Sequence, residues 1–113
     1  FELHPCLYQT ELVSFCRDNG IAVEGWAPLM RGRLNDDPLI MELAEKYGRT
    51  TSQVLIRWAL EHGFVTIPKS VTPARIIENS LVFDFSISKE DVVRIDSLDR
   101  RERTGPDPDN FNF

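Results

Sequence analysis

The stretch FVTIPKSVTPARIIEN, residues 64–79, decides the fold class because a strand pattern passes there directly into a helix start. Its first four residues are mostly branched or aromatic, as is typical of strands. Thr72 followed by Pro73 predicts a helix N-terminus, since Thr can cap free backbone N–H groups and Pro fits the first helical position. Lys69 and Arg75 flank that start. A helix N-terminus attracts anions, so the unit predicts a phosphate site.

Strand and helix patterns alternate along the rest of the chain. Further strand patterns lie at residues 1–3 and 21–26. Helix starts are marked by residues whose side chains can accept hydrogen bonds from free backbone N–H groups. These are Thr10, Asp37 before Pro38, Thr50 with Gln53, and Ser88 with Asp91. The alternation predicts an α/β fold in which about three parallel strands carry helices outside them.

Apolar residues spaced three and four apart predict which helix faces are buried. The four faces are Leu12, Val13, Phe15 and Cys16; Ile40, Leu43, Ala44 and Tyr47; Val54, Leu55, Trp58 and Ala59; and Val92, Ile95 and Leu98. Phe83 and Phe85 lie in an extended stretch and are expected to pack on the body of the protein.

Composition excludes several classes of protein. The chain has 113 residues, of which 42% are hydrophobic and 27% charged, and this favours a globular domain over a disordered chain. A net charge of −5 argues against a nucleic-acid partner. We find no signal peptide and no apolar run long enough for a bilayer, so no membrane partner and a cytoplasmic location are expected. Cys6 and Cys16 match no zinc spacing and are expected to be free thiols.

Three parallel strands are too few for a complete sheet. Such strands need cover on both faces and neighbours at both edges. The sequence also begins at Phe1, inside what resembles a strand end. We therefore expect this chain to be part of a larger α/β sheet or barrel, and to self-associate through exposed edges if it is isolated.

Four motifs, in this order, resemble those of the aldo-keto reductases. They are FELHP at 1–5, VEGWAPL at 23–29, IPKS at 67–70 with Arg75 and Glu78-Asn79, and GPDP at 105–108. The likeness is to the prokaryotic branch that includes diketogluconate and glyoxal or methylglyoxal reductases. It implies a (β/α)₈ TIM barrel, which needs about 250 residues. Residues 1–113 would be its C-terminal, cofactor-binding part, with the N-terminal strands absent, in a parent that is a monomer.

The resemblance also implies NADPH as the cofactor. Its 2′-phosphate would be held by Lys69, Ser70, Thr72 and Arg75, with help from the backbone N–H of Val71. A dianion of this kind is stabilised where charges, hydroxyl donors and a helix N-terminus come together. At the adenine edge the resemblance implies two more contacts, Glu78 and Asn79.

At the other end of the cofactor, the resemblance implies that Trp26 stacks on the nicotinamide ring, where many relatives have Tyr. The loop beside the pyrophosphate would be lined by Ala27, Pro28, Leu29 and Arg31. Relatives often carry Ser at the position of Ala27 and Gly at the position of Met30, so these are departures from the family pattern.

The family reduces a small-molecule carbonyl by hydride transfer from the nicotinamide. In the family a Tyr donates the proton, a Lys paired with an Asp lowers the pKa of that Tyr, and a His orients the substrate. All four come from the first half of the barrel, so no catalytic residue is assigned in this chain, which alone is expected to be inactive. His4 is expected to have a packed or hydrogen-bonded role, and His62 to cap a helix end.

Two alternative functions belong to other classes. The helices expected around residues 37–47 and 52–61, joined by Gly48-Arg49-Thr50-Thr51, resemble a helix-turn-helix that could enter a DNA groove. The apolar face of the second helix and its low basic charge argue against this. A non-catalytic scaffold subunit that kept the barrel fragment is the other alternative.

Overall fold

The computed structural model describes residues 1–67 and 73–108, which form an α/β unit. Its strands are β1 (Glu24–Trp26) and β2 (Val65–Ile67). Its helices are α1 (Thr10–Asp18), α2 (Pro38–Tyr47), α3 (Thr51–Glu61), α4 (Pro73–Ser80) and α5 (Lys89–Asp96), and a single 3₁₀ turn covers Met30–Gly32. The order strand, helices, strand, helices follows the alternation predicted from the sequence.

The strands are parallel, as expected. Glu24, Gly25 and Trp26 pair with Val65, Thr66 and Ile67. Residue Glu2 adds a parallel bridge to Trp26, so the first strand end lies beside β1 on the side away from β2. The described residues therefore contain the expected three parallel segments, the first reduced to a single bridge.

Three of the predicted helix caps are confirmed. The Asp37 carboxylate accepts from the backbone N–H groups of Leu39 and Ile40, at 3.0 and 3.2 Å. Thr50 and Gln53 form the reciprocal capping box. Ser88 accepts from the Asp91 N–H at 3.2 Å, although the Asp91 carboxylate turns to other partners.

Thr10 does not cap α1, so that prediction was wrong. The helix already includes Thr10, and the position before it is Gln9, whose backbone is left-handed (φ 54°) and makes no side-chain cap. The Gln9 amide donates instead to the carbonyl of Glu2 at 2.6 Å. A contact with a residue seven positions earlier thus replaces the cap that the sequence pattern suggested. The predicted cap at Thr72 lies outside the described residues.

The core lies between the sheet and helices α2, α3 and α5. The predicted faces of α2 and α3 are confirmed, with only Tyr47 half-buried, and Ile95 is fully buried on α5. On α1 only Val13 and Cys16 are buried. The expectation was wrong for Leu12 and Phe15, which are 40% and 59% exposed, and for Phe83, which is 77% exposed. Phe85 packs against the core as expected.

The buried face of α3 also bears on the helix-turn-helix alternative. Six α3 residues are buried, and α3 packs against α2, α4, α5 and β2. A recognition helix must instead present a face to a DNA groove. The arrangement gives that alternative no support.

His62 occupies the C-cap of α3, as expected, and its ring has further contacts. Its Nε2 lies 2.8 Å from the Asp96 Oδ1, which also accepts from the Trp58 indole N–H at 2.8 Å. Its Nδ1 lies 3.2 Å from the Tyr8 hydroxyl, and its ring stacks on Phe64. His62 therefore joins α3 to α5 and to Phe64, the residue before β2, in a polar and aromatic cluster.

Candidate functional site

An open cleft with a volume of about 180 Å³ lies between the loop after β1 and helix α4. It is lined by Leu29, Arg31, Gly32, Asn35, Ser52, Arg75 and Asn79. Among the lining residues that the structure describes, two are arginines and none is acidic. The planar guanidinium group of arginine can donate two parallel hydrogen bonds to phosphate oxygens. A positively charged cleft of this kind therefore suits an anionic ligand.

The loop on one side of the cleft has a strained backbone. Ala27, Met30 and Arg31 have φ angles of 54°, 51° and 54°, in the left-handed region that residues with a Cβ rarely adopt. Each such residue costs about 1 kcal/mol or more. The Met30 side chain is fully buried in the core, and this burial helps to hold the loop in place. Arg31 is left exposed at the cleft.

Helix α4 forms the other side of the cleft. Arg75 and Asn79 lie one turn apart, so both reach the same side of the helix. The end of α4 is fixed to α3 by Gln53, whose amide donates to the carbonyls of Glu78 at 3.0 Å and Leu81 at 3.4 Å. The Asn79 Oδ1 is buried and has no hydrogen-bond partner among the residues that the structure describes.

Asn35 and Ser52 line the cleft although sequence reasoning did not select them. Thr51 donates its hydroxyl to the Asn35 Oδ1 at 3.1 Å, which ties the loop to the start of α3. Nothing in the local sequence marks either residue, because the contact is made only when the loop folds back on α3.

Trp26 lies at the end of β1, outside the lining of the cleft, and is 36% exposed. Its backbone is held by the first strand end: its N–H donates to the Phe1 carbonyl at 3.0 Å, and its carbonyl accepts from the Leu3 N–H at 3.1 Å. A Cβ built on Gly105 would lie 2.4 Å from the indole Cη2. The C-terminal segment is therefore in close contact with the indole at a position where only glycine fits.

Beside Trp26 lies a buried Glu2–His4 pair, and sequence reasoning missed the Glu2 contacts. Burial favours the neutral acid, but hydrogen bonds from the Thr104 backbone, His4, the Gly105 backbone and the Thr104 hydroxyl outweigh it, so the pKa of Glu2 lies below its usual value. Burial also lowers the pKa of His4, against the opposing effect of Glu2. A neutral His4 therefore donates its Nε2–H to an ionised Glu2 across 2.7 Å. His4 is thus hydrogen-bonded, as expected.

The residues predicted for the cofactor fall into three groups in the structure. Leu29, Arg31, Arg75 and Asn79 come together at the cleft. Trp26, Ala27, Pro28 and Glu78 are adjacent to them in the chain but do not line the cleft. Lys69, Ser70, Val71 and Thr72 lie outside the described residues.

Within residues 1–67 and 73–108, no group of three or more His, Cys, Asp or Glu residues is placed to hold a metal ion. Cys6 and Cys16 are free and buried. None of the helices in this part of the chain has the length and apolar character that a membrane span requires.

Comparison with known proteins gives a consistent result. The profile of the Aldo/keto reductase family matches residues 1–100. The glyoxal reductase of Bacillus subtilis is 49% identical, and methylglyoxal reductase DkgA of Salmonella typhimurium is 47% identical, each over 112 residues. These matches take in 99% and 97% of this chain and 41% of each relative, so the chain spans about two fifths of their length.

Solved structures agree with these sequence matches. The structure of Gox0644 in its apo form has a TM-score of 0.96 and 43% identity, covering 99% of this chain and 42% of its own. A mutant of Gox0644 in complex with NADPH has a TM-score of 0.95. The family match, the relatives and the shared fold lead to one conclusion: this chain belongs to the aldo/keto reductase family.

Proposed function

We propose that this chain is the C-terminal, cofactor-binding part of a (β/α)₈ reductase that uses NADPH to reduce small aldehydes or ketones. The observation that carries the proposal is the cleft, because it brings Arg31 from the loop after β1 together with Arg75 and Asn79 from α4 around one cavity. The names of the similar glyoxal and methylglyoxal reductases support a small carbonyl as substrate. The NADPH complex of Gox0644 supports the choice of cofactor.

The cleft fits the adenosine end of NADPH. Arg75 supplies a planar guanidinium for the 2′-phosphate or for the face of the adenine ring. The Asn79 Oδ1 has no hydrogen-bond partner among the described residues and would accept from the adenine amino group. Helix α4 begins at Pro73, so its first N–H groups lack partners within the helix and favour an anion. In the proposal, Lys69, Ser70, Val71 and Thr72 complete the phosphate site, and Glu78 contacts the adenine edge.

The nicotinamide end would lie at the indole of Trp26. Its partly exposed ring offers a flat apolar surface for stacking. Between the two ends, Ala27, Pro28, Leu29 and Arg31 would follow the pyrophosphate. NADPH supplies the hydride when bound, while residues of this chain hold and orient it. The proton donor is expected from the rest of the barrel, so the isolated chain should show no turnover.

The decisive test is Arg75→Ala in the complete protein that contains this chain. Loss of a charge-assisted hydrogen bond to the 2′-phosphate should weaken NADPH binding about 10- to 100-fold. NADH, which lacks that phosphate, should be affected less. Steady-state kinetics with both cofactors measure this as a rise in the KM for NADPH with little change in kcat.

Two further variants serve as controls. Arg75→Lys keeps the positive charge but lacks the planar guanidinium group, so it should retain part of the preference for NADPH over NADH. Arg101→Ala removes an exposed arginine that does not line the cleft and should behave as wild type. Equal losses for NADPH and NADH in Arg75→Ala would contradict the proposed phosphate site.

A further inference from the structure

Glu2 carries a buried carboxylate that the proposed cofactor contacts do not use. The residue is only 1% exposed. Its Oε2 accepts from the His4 ring at 2.7 Å, the Thr104 N–H at 2.7 Å and the Thr104 hydroxyl at 3.0 Å, and its Oε1 accepts from the Gly105 N–H at 3.0 Å. Three of these four hydrogen bonds come from residues about 100 positions away in the sequence. The carboxylate therefore binds the C-terminal segment to the first strand end.

The segment that Glu2 holds is the one that contacts Trp26. A Cβ built on Gly105 would lie 2.4 Å from the indole Cη2, 3.0 Å from the Cζ3 and 3.5 Å from the Glu2 Oε1. Gly105 thus fits between the carboxylate and the six-membered ring of the indole. A change in the position of Gly105 must change the space available to that ring.

Glu2 and Trp26 also lie on paired backbone positions. They form a parallel bridge, closed by the hydrogen bonds of Trp26 to Phe1 and Leu3. The backbone of Trp26 is therefore fixed by the strands, whereas its side chain is limited by the Thr104–Gly105 segment. That segment belongs to no helix or strand, and its backbone N–H groups bond to the Glu2 carboxylate.

We propose that Glu2 is a positioning residue for the cofactor: by holding Thr104 and Gly105, it sets the orientation of the Trp26 indole that receives the nicotinamide. The proposal rests on the proposed function, which places the nicotinamide on Trp26. It predicts that a change at Glu2 weakens the contacts of the nicotinamide end of the cofactor and leaves those of the adenosine end unchanged. Because NADPH and NADH share that end, Glu2 affects both equally and has no part in the choice between them.

The test uses Glu2→Gln in the complete protein, because the substitution keeps the shape of the side chain. The amide oxygen can still accept from His4 and Thr104. The amide NH₂ group then faces the Gly105 N–H, and because both groups are donors, the hydrogen bond to Gly105 is lost. We expect NADPH and NADH to bind about tenfold more weakly, with their affinity ratio unchanged. Acrylamide should also quench tryptophan fluorescence more strongly, and the increase should disappear in a Trp26→Phe background, because Trp26 is partly exposed.

Three other variants separate positioning from general loss of stability. Gly105→Ala leaves the carboxylate intact and displaces the indole directly, so it should reproduce both effects of Glu2→Gln. Thr104→Val removes the hydroxyl donor to Glu2 and keeps the backbone N–H, so it should give both effects in a weaker form. Glu45→Gln makes the same chemical change at an exposed residue of α2 and should alter neither affinity nor quenching.

The outcomes distinguish this proposal from the proposed function. Weaker cofactor binding without a change in Trp26 quenching would overturn the role of Glu2, as would a changed NADPH-to-NADH ratio. Wild-type affinities and quenching in a folded Glu2→Gln protein would overturn it as well. If the wild-type protein binds neither cofactor, the proposed function fails, while the quenching of Glu2→Gln and Gly105→Ala still tests whether Glu2 positions the indole.

Discussion

At the scale of single residues, the backbone and the side chain of Met30 contribute to stability with opposite signs. Its left-handed backbone (φ 51°) is unfavourable for a residue with a Cβ, and its side chain is fully buried in the core. The strain costs about 1–2 kcal/mol, whereas removing a buried Met side chain costs about 2–5 kcal/mol. Burial therefore outweighs strain, which gives a physical reason why a residue with a Cβ is tolerated at this left-handed position.

This balance predicts that Gly is more stable than Ala at position 30, the reverse of their usual order in helices and strands. Met30→Ala loses the side chain and keeps the strain, while Met30→Gly loses the side chain and relieves the strain. We expect both to lower the free energy of unfolding, with Gly more stable than Ala by about 1 kcal/mol. Urea denaturation of the three proteins measures this. If Ala is the more stable variant, the left-handed conformation at residue 30 is incorrect.

At the scale of elements, Asp91 joins α5 to α2. Its carboxylate, almost fully buried, accepts from the Lys46 ammonium at 2.6 Å, the Tyr47 hydroxyl at 2.5 Å and the Arg94 guanidinium at 3.2 Å. The hydrogen bonds from Lys46 and Tyr47 hold the pKa of Asp91 well below its usual value, against the opposing effect of burial. Lys46 is half exposed, so solvent screens the ion pair and the hydrogen bonds of Tyr47 and Arg94 matter as much.

The lowered pKa of Asp91 predicts how the packing of α5 depends on pH. The unfolded chain takes up a proton near pH 4, whereas folded Asp91 does not, so stability falls as the pH drops below about 4. Asp91→Asn should lower the free energy of unfolding at pH 7 by about 1–3 kcal/mol and reduce the loss between pH 5 and pH 3. Denaturant melts at several pH values test this. If the free energy of unfolding of Asp91→Asn falls with pH as steeply as that of the wild type, the attribution of this pH dependence to Asp91 is contradicted.

Elements were predictable from the sequence where their signals are local. The caps at Asp37 and Thr50 depend on residues two or three positions away, and α3 has a regular apolar face. The start of α1 was mispredicted because a contact between Gln9 and Glu2 replaces the local cap. Asn35, Ser52 and Glu2 were missed at the site for a similar reason: their roles depend on contacts between distant parts of the chain, which no spacing reveals.

At the scale of the whole molecule, much apolar surface is exposed. Ile76 and Ile77 on α4 are 54% and 61% exposed, Phe83 beyond α4 is 77% exposed, and Phe15 on α1 is 59% exposed. The sheet has only two paired strands and one bridge among the described residues. Exposed apolar patches and unpaired strand edges both favour association.

We therefore expect the isolated 113-residue chain to self-associate at about 10 μM, a concentration at which such surfaces already promote aggregation. Sedimentation velocity measures this directly. Ile77→Lys should reduce association because it places a charge in the exposed apolar surface. Val93→Lys makes the same change on α5 and should have less effect. A monodisperse monomer at this concentration would contradict the expectation.

The most direct test of the account is a titration of this chain with NADPH and with NADH, followed by tryptophan fluorescence and accompanied by circular dichroism to establish folding. We expect saturable quenching by NADPH at much lower concentrations than by NADH, because Arg75 at the cleft is proposed to hold the 2′-phosphate that NADH lacks. A folded chain that binds neither cofactor, or binds both with equal affinity, would contradict it.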